Sequence, residues 1–165
     1  MFADGKIEGV IVRDLVRYSD QRGWLTELYR DDEIDPRFRP VMQYISMTGA
    51  GIARGPHEHV DQADFFGFIG PSTFRIYLWD YRENSPTFKT RQVLLAGEEV
   101  PRTIIIPPGV VHAYKNIGTV MGMVVNLPNR LYAGPGRRFC HVLGHSREGG
   151  MLEVADFVDF PGRIC

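Results

Sequence analysis

The chain has 165 residues, 44% hydrophobic and 24% charged, enough to close one hydrophobic core and too few for a second large domain. Nineteen Lys and Arg stand against twenty Asp and Glu for a net charge of -1, so no basic excess exists to neutralise a nucleic-acid backbone or an anionic membrane. The longest apolar runs, Val93 to Ala96 and Thr103 to Ile106, fall far short of the roughly 20 residues that span a bilayer.

The opening Met1 to Lys6 mixes acidic and basic residues where a signal peptide carries a long apolar stretch, so export is not indicated and a cytoplasmic location is expected. Ile7 to Val12 and Trp24 to Tyr29 read as early strands, with Ser19 to Gly23 as the turn between them. Asp31 to Pro36 supports at most one short helix. Phe65 to Ile69 and Thr73 to Asp80 follow as strands around a Gly70-Pro71-Ser72 turn, the second alternating β-branched and aromatic residues. Thr90 to Leu95, Thr103 to Ile106 and Val120 to Leu127 complete the series. Loops are expected from Tyr132 to Gly150, and no internal repeat or low-complexity segment is present. Cys140 and Cys165 are too few for a disulfide framework and read as reduced thiols. Many short strands punctuated by Gly and Pro predict a single all-β domain over 1–165, a sandwich or barrel.

Two segments carry the chemistry. In Gly51 to Asp64, His57 and His59 stand two residues apart, so on a strand both project from one face. In Ile106 to Asn116, a Pro-Gly turn delivers His112 at a strand start. Two imidazoles, a third from a facing strand and the Asp64 carboxylate could converge inside a small barrel. This pair of segments resembles the two cupin motifs, Gly-x5-His-x-His with an acidic residue beyond it and Pro-x-Gly-x2-His-x3-Asn; Asp64 stands where the first usually has Glu. The resemblance implies a double-stranded β-helix, the jelly-roll barrel.

A second resemblance covers more of the chain. Asp20 to Glu27, Arg54 to His57, Asp80 to Phe88 and Ile106 to His112 are similar, in order and spacing, to the signature segments of dTDP-4-dehydrorhamnose 3,5-epimerases. That likeness implies an isomerase acting on a nucleotide-linked 4-keto hexose, whose C3 and C5 protons are acidified by the adjacent carbonyl, without a cofactor. It implies His57 as the base and Tyr132, after the last barrel strand, as the proton donor. Arg22 and Arg54 resemble the phosphate and substrate contacts, suited to a guanidinium fork. Glu27 and Gln43 match positions that touch nucleotide and sugar, and His59, Asp64 and His112 are expected to line the same cavity. Ser85-Pro86-Thr87 reads as a connecting turn rather than a site. A homodimer is expected, paired through N-terminal strands such as Gly9 to Val12.

The chain departs from that family twice. Where the family carries a lysine to hold the developing enolate, this sequence has Asp64, of the wrong sign. The C-terminal Ser-x-Lys-Asp element that orients the family's base is not reproduced, with Asp156 and Asp159 the only nearby substitutes and Asp64 a third. Alternatives therefore stay open: a sugar-nucleotide 3,4-ketoisomerase, with a similar Arg-Gly-x-His-x-His strand; a metal-dependent cupin with a divalent ion on His57, His59, Asp64 and His112; and a sugar-binding module without catalysis.

Overall fold

The computed structural model describes residues 1–132 and the short strand at 139–140. In chain order its strands are β1 (Ala3–Asp4), β2 (Ile11–Asp14), β3 (Tyr18–Asp20), β4 (Gly23–Leu25), β5 (Tyr44–Thr48), β6 (Ala53–His59), β7 (Asp64–Phe68), β8 (Thr73–Asp80), β9 (Thr90–Gly97), β10 (Arg102–Ile106), β11 (Val110–Asn116), β12 (Gly122–Asn126) and β13 (Phe139–Cys140). One 3-10 turn, Pro36–Phe38, is capped by the Asp35 side chain, which accepts from the Arg37 N–H at 2.9 Å.

Two sheets face each other, ordered β1-β9-β8-β11-β6-β13 and β2-β10-β7-β12-β5, and β3-β4 forms a separate hairpin. All pairings are antiparallel except the short β1–β9 contact. This is the expected jelly-roll barrel. Strand alternation fills the space between the sheets: Phe74, Ile76 and Leu78 of β8 meet Phe66 and Phe68 of β7, Ile104 and Ile106 of β10, and Val124 of β12. The opposite face of β8 and β11 stacks Tyr77 and Trp79 against Val111 and Ala113.

Several strand boundaries differ from the sequence reading for local reasons. Ile7 to Val12 is interrupted by a turn at Gly9, φ +79°, so β2 begins only at Ile11. Trp24 to Tyr29 contributes just β4, because Leu28 and Tyr29 leave the strand path to pack with Ile34 and Phe38 over Phe65 on the outer face of β7. The short helix falls at Pro36–Phe38, beyond the Asp31 to Pro36 segment. Val120 and Met121 belong to a loop rather than to β12. The edge strand β5 is unforeseen in the sequence because its mixed Tyr-Ile-Ser-Met-Thr run is mostly exposed, and β13 lies where only loops were expected. Cys165, Asp156 and Asp159 lie outside the described residues.

The two ends of the barrel interior are closed differently. At one end Asn116, fully buried, donates to the carbonyls of Thr48 (2.9 Å) and Val120 (2.8 Å) and accepts from Ser72 Oγ (2.6 Å) and the Gly118 N–H (3.0 Å). The motif's asparagine is thus a plug. At the other end the inward positions turn ionisable, as described below.

A further buried carboxylate holds the turn between β8 and β9. Asp80 accepts from Arg82 Nε (2.9 Å), from the Arg82 N–H (3.0 Å), and from the Ser85 and Thr87 hydroxyls (both 2.6 Å). The Ser85-Pro86-Thr87 element is therefore structural. Burial alone would raise the Asp80 pKa, but these donors outweigh it and hold the group at about 2 instead of 3.8. A depressed carboxylate contributes stability above its unfolded pKa and loses it as pH falls through the folded value. Asp80→Asn should therefore cost roughly 2–3 kcal/mol at neutral pH. In urea unfolding the gap between wild type and variant should shrink between pH 4 and pH 2, and a gap constant with pH would refute this account.

Candidate functional site

The polar end of the barrel is built where the two sheets approach. Asp64 opens β7, opposite Ile106 of β10, and points inward with Phe66 and Phe68. Across from it, β6 and β11 pair with His57 opposite His112. The third imidazole therefore comes from the strand next to β6 in the same sheet, and the carboxylate comes from the facing sheet.

Gly55 makes this pairing possible. Its φ is +95°, and the β6–β11 register shifts by a bulge between His112 and Tyr114. A Cβ at Gly55 would lie 2.7 Å from the His112 carbonyl oxygen and 3.0 Å from Ala113 Cα. The following Gly55–Pro56 bond is cis.

The geometry singles out three of the four expected groups. Asp64 Oδ2 lies 3.1 Å from His59 Nε2 and 3.2 Å from His112 Nε2. Ligand-type atoms of His59, Asp64 and His112 all fall within 4.8 Å of one another. The second carboxylate oxygen, Oδ1, accepts from Gln62 Nε2 at 2.8 Å and from Asn126 Nδ2 at 3.0 Å. The Asp64 and His112 side chains are only 2% and 4% exposed. Burial would raise the Asp64 pKa, yet the contacts from His112 and His59 prevail and hold it well below the ordinary range. His112 Nδ1 lies 3.1 Å from the Val110 carbonyl oxygen, which accepts its proton and fixes the ring. The Phe66 ring packs 5.7 Å from that of His112 and closes the cluster from below.

His57 stands at the open edge of this cluster. It is solvent-exposed, its ring 5.9 Å from that of His112. Protein packed around it, and secondarily the neighbouring His112 and His59, lower its pKa from 6.5 to about 4, with Asp64 acting in the opposite sense. His57 is thus neutral at pH 7. Asp64 makes its close contacts with His59 and His112, so these two rings, rather than His57, receive the orientation that a base–carboxylate dyad would supply.

The other expected residues lie on the surface around the barrel. Arg54 is exposed on β6 and donates to Thr48 Oγ1 and the Met47 carbonyl, both at 2.9 Å. Arg22 sits on the β3–β4 hairpin, paired with Asp20 and 88% exposed. Glu27, also exposed, meets Arg30 at 3.5 Å, and Gln43 is exposed just before β5. Tyr132 is 74% exposed, with its N–H 3.1 Å from Met42 Sδ. The sequence reading overlooked Gln62, Asn126 and Tyr114. Gln62 and Asn126 fix the carboxylate, and Tyr114 puts its hydroxyl 3.1 Å from Ser46 Oγ, one inward position beyond His112. Strand alternation from His112 could have exposed Tyr114; the two amides carry no pattern in one sequence.

A jelly-roll barrel whose one end is plugged by a self-satisfied Asn116 cluster, and whose other opens on three imidazoles and a buried carboxylate, defines a small-molecule cupin-type site. Residues 4–135 match the sequence signature of the family described as dTDP-4-dehydrorhamnose 3,5-epimerase. The chain is 36% identical over 127 residues to the protein named probable low-salt glycan biosynthesis epimerase Agl13 of Haloferax volcanii, covering 76% of this chain and 81% of that protein. It is 35% identical over 113 residues to the spore coat polysaccharide biosynthesis protein SpsL of Bacillus subtilis, covering 68% and 73%. In fold it superposes on ChmJ, a 3'-monoepimerase from Streptomyces bikiniensis in complex with dTDP-quinovose, with a TM-score of 0.72 at 22% identity over 88% of this chain and 74% of that one. The chain belongs to the dTDP-4-dehydrorhamnose 3,5-epimerase family and is accordingly an isomerase-class enzyme, a sugar-nucleotide epimerase.

The dependence on Gly55 is directly testable. Gly55→Ala forces a side chain into a left-handed backbone against β11 and should cost roughly 1–3 kcal/mol or more. In histidine-selective NMR the His57 and His112 ring signals should shift together, because the bulge sets both; unchanged stability and spectra would show that the bulge does not position them.

Proposed function

We propose that the enzyme inverts C3, C5 or both in a nucleotide-diphosphate-linked 4-keto hexose, with His57 as the base and Tyr132 as the acid. The observation that carries this reading is the placement of His57: an imidazole on the inward face of β6, exposed at the open end of the barrel beside a buried carboxylate cluster. A neutral imidazole there can take the proton α to the C4 carbonyl, leaving an enolate, and a donor on the opposite face of the sugar returns a proton with inverted configuration. Nothing in that sequence of proton transfers consumes a cofactor. Arg54, near the start of β6, and Arg22 are proposed as cations for the diphosphate. Glu27 and Gln43 are proposed to touch nucleotide and sugar. A substrate of this kind points to a cytoplasmic site of action, and no helix among the described residues is long and apolar enough to cross a membrane.

Removing the base should separate chemistry from affinity. His57→Ala is expected to cut deuterium incorporation at C3 and C5 of a 4-keto sugar nucleotide in heavy water by about 10²- to 10⁴-fold. Nucleotide binding should stay within a few-fold, because it rests on groups elsewhere. Full incorporation by the variant would remove His57 from the mechanism.

The same reading includes a homodimer. The β3–β4 hairpin is exposed throughout and, among the described residues, pairs with no third strand, a marginal arrangement alone in water. It carries Tyr18, Trp24 and Leu25, 59%, 47% and 61% exposed, while the edge strand β2 exposes Ile11 and Val12. A second copy would cover these surfaces and pair the free edge of β2. Sedimentation at micromolar concentration should give twice the 18.7 kDa chain mass; a monomer would exclude pairing as the source of that cover.

A further inference from the structure

We infer that the Tyr114 hydroxyl donates a hydrogen bond to the C4 oxygen of the substrate and stabilises the enolate there. The inference rests on the epimerase reading, and three observations carry it. The first is position. In the β6–β11 ladder His112 stands opposite His57 and Tyr114 opposite Arg54, so the phenol is the next inward side chain on β11, between the imidazole cluster and the Asn116 plug. Its hydroxyl reaches the facing sheet, where Ser46 Oγ of β5 lies 3.1 Å away.

The second is that packing accounts for the ring and not for its oxygen. Tyr114 is 6% exposed, and its ring meets Phe66, Phe68 and Phe74 edge-on, with centroids 5.8, 5.6 and 5.7 Å apart. A phenylalanine would fill the same aromatic layer, so the hydroxyl is a polar atom carried into the core at a cost. Three neighbouring rings fix the direction in which it points. A donor held in this way needs no reorganisation when charge develops beside it.

The third is charge. Arg54, the cross-strand partner of Tyr114, is tied to β5 by its Nε, which donates to Thr48 Oγ1, and by a terminal nitrogen, which donates to the Met47 carbonyl, both at 2.9 Å. Burial raises the Tyr114 pKa above its ordinary 10, so the phenol keeps its proton at neutral pH, while Ser46, Arg54 and Thr48 act in the opposite sense. Groups that favour negative charge on the phenol oxygen also strengthen its O–H as a donor.

In the reaction His57 takes the proton from C3 or C5. The electron pair of that C–H bond forms a double bond to C4, and the carbonyl pair moves onto the C4 oxygen. Tyr114 shares its proton with that oxygen without giving it up, and return of a proton to carbon from Tyr132 restores the ketone. The stabilisation that the family resemblance assigns to a lysine, at the position of Asp64 on β7, then comes from β11 of the facing sheet.

The test follows deuterium entering C3 and C5 of dTDP-4-keto-6-deoxyglucose in heavy water, with the full chain. Tyr114→Phe should lower kcat for exchange by about 10²- to 10³-fold, the usual loss on removing one oxyanion donor, and leave KM within a few-fold. Replacing Tyr114 with 3-fluorotyrosine, a stronger donor of nearly the same shape, should keep or exceed the wild-type rate, and it carries the test if Tyr114→Phe fails to fold. An unchanged kcat in folded Tyr114→Phe would overturn the role. So would a fall of the same size in the fluorotyrosine protein, because shape and not donation would then be at fault. Exchange lost in His57→Ala but intact in Tyr114→Phe would remove Tyr114 alone and leave the epimerase reading standing. A wild-type protein that exchanges neither proton would sink that reading, and this role with it.

Discussion

The barrel is organised around one buried carboxylate. Asp64 is 2% exposed, and an uncompensated charge at that depth costs several kcal/mol. The fold meets this cost from four directions: Gln62 and Asn126 on one oxygen, His59 and His112 on the other. Asn126 lies on β12 in the same sheet as β7, while the two histidines lie on β6 and β11 of the facing sheet. The carboxylate therefore joins both sheets at the open end of the barrel, beyond the mixed aromatic and aliphatic core that packs between them.

The contrast with the plugged end separates structure from function. Asn116 gives both amide protons to carbonyls and accepts two hydrogen bonds, all with neutral groups. That cluster is satisfied within itself. Around Asp64, by comparison, Gln62 Oε1 and Asn126 Oδ1 are buried with no hydrogen-bond partner among the described residues. Folding alone would favour satisfying them, since each orphan forfeits the energy of its lost hydration. Unspent polar capacity collected at the open end of a barrel marks the end that meets a ligand.

The sequence carried the fold wherever burial imposed a period. β8 alternates Phe74, Ile76 and Leu78 toward the core with Tyr77 and Trp79 away from it, and its bounds were legible to the residue. β5 escaped notice because an exposed edge strand need not alternate cleanly. Leu28 and Tyr29 misled for the opposite reason: their apolar character serves a covering segment outside the barrel. At the site, His57, His59, Asp64 and His112 were visible as residues, but their grouping was not. Period two puts His57 and His59 on one face equally; only the approach of β7 from the facing sheet selects His59 over His57 as the partner of Asp64. Arg22 and Glu27 are legible as a segment, yet in the single chain they sit in salt bridges on the surface.

The exchange of a lysine for Asp64 cannot act as an isolated reversal of charge. A cation at this position would itself supply the charge that an enolate requires. An aspartate opposes the enolate instead. The inward apolar layers that make the fold lie on the far side of Phe66, away from the charge of Asp64. With Asp64 in place, the positive charge that an enolate requires is not supplied by this strand position.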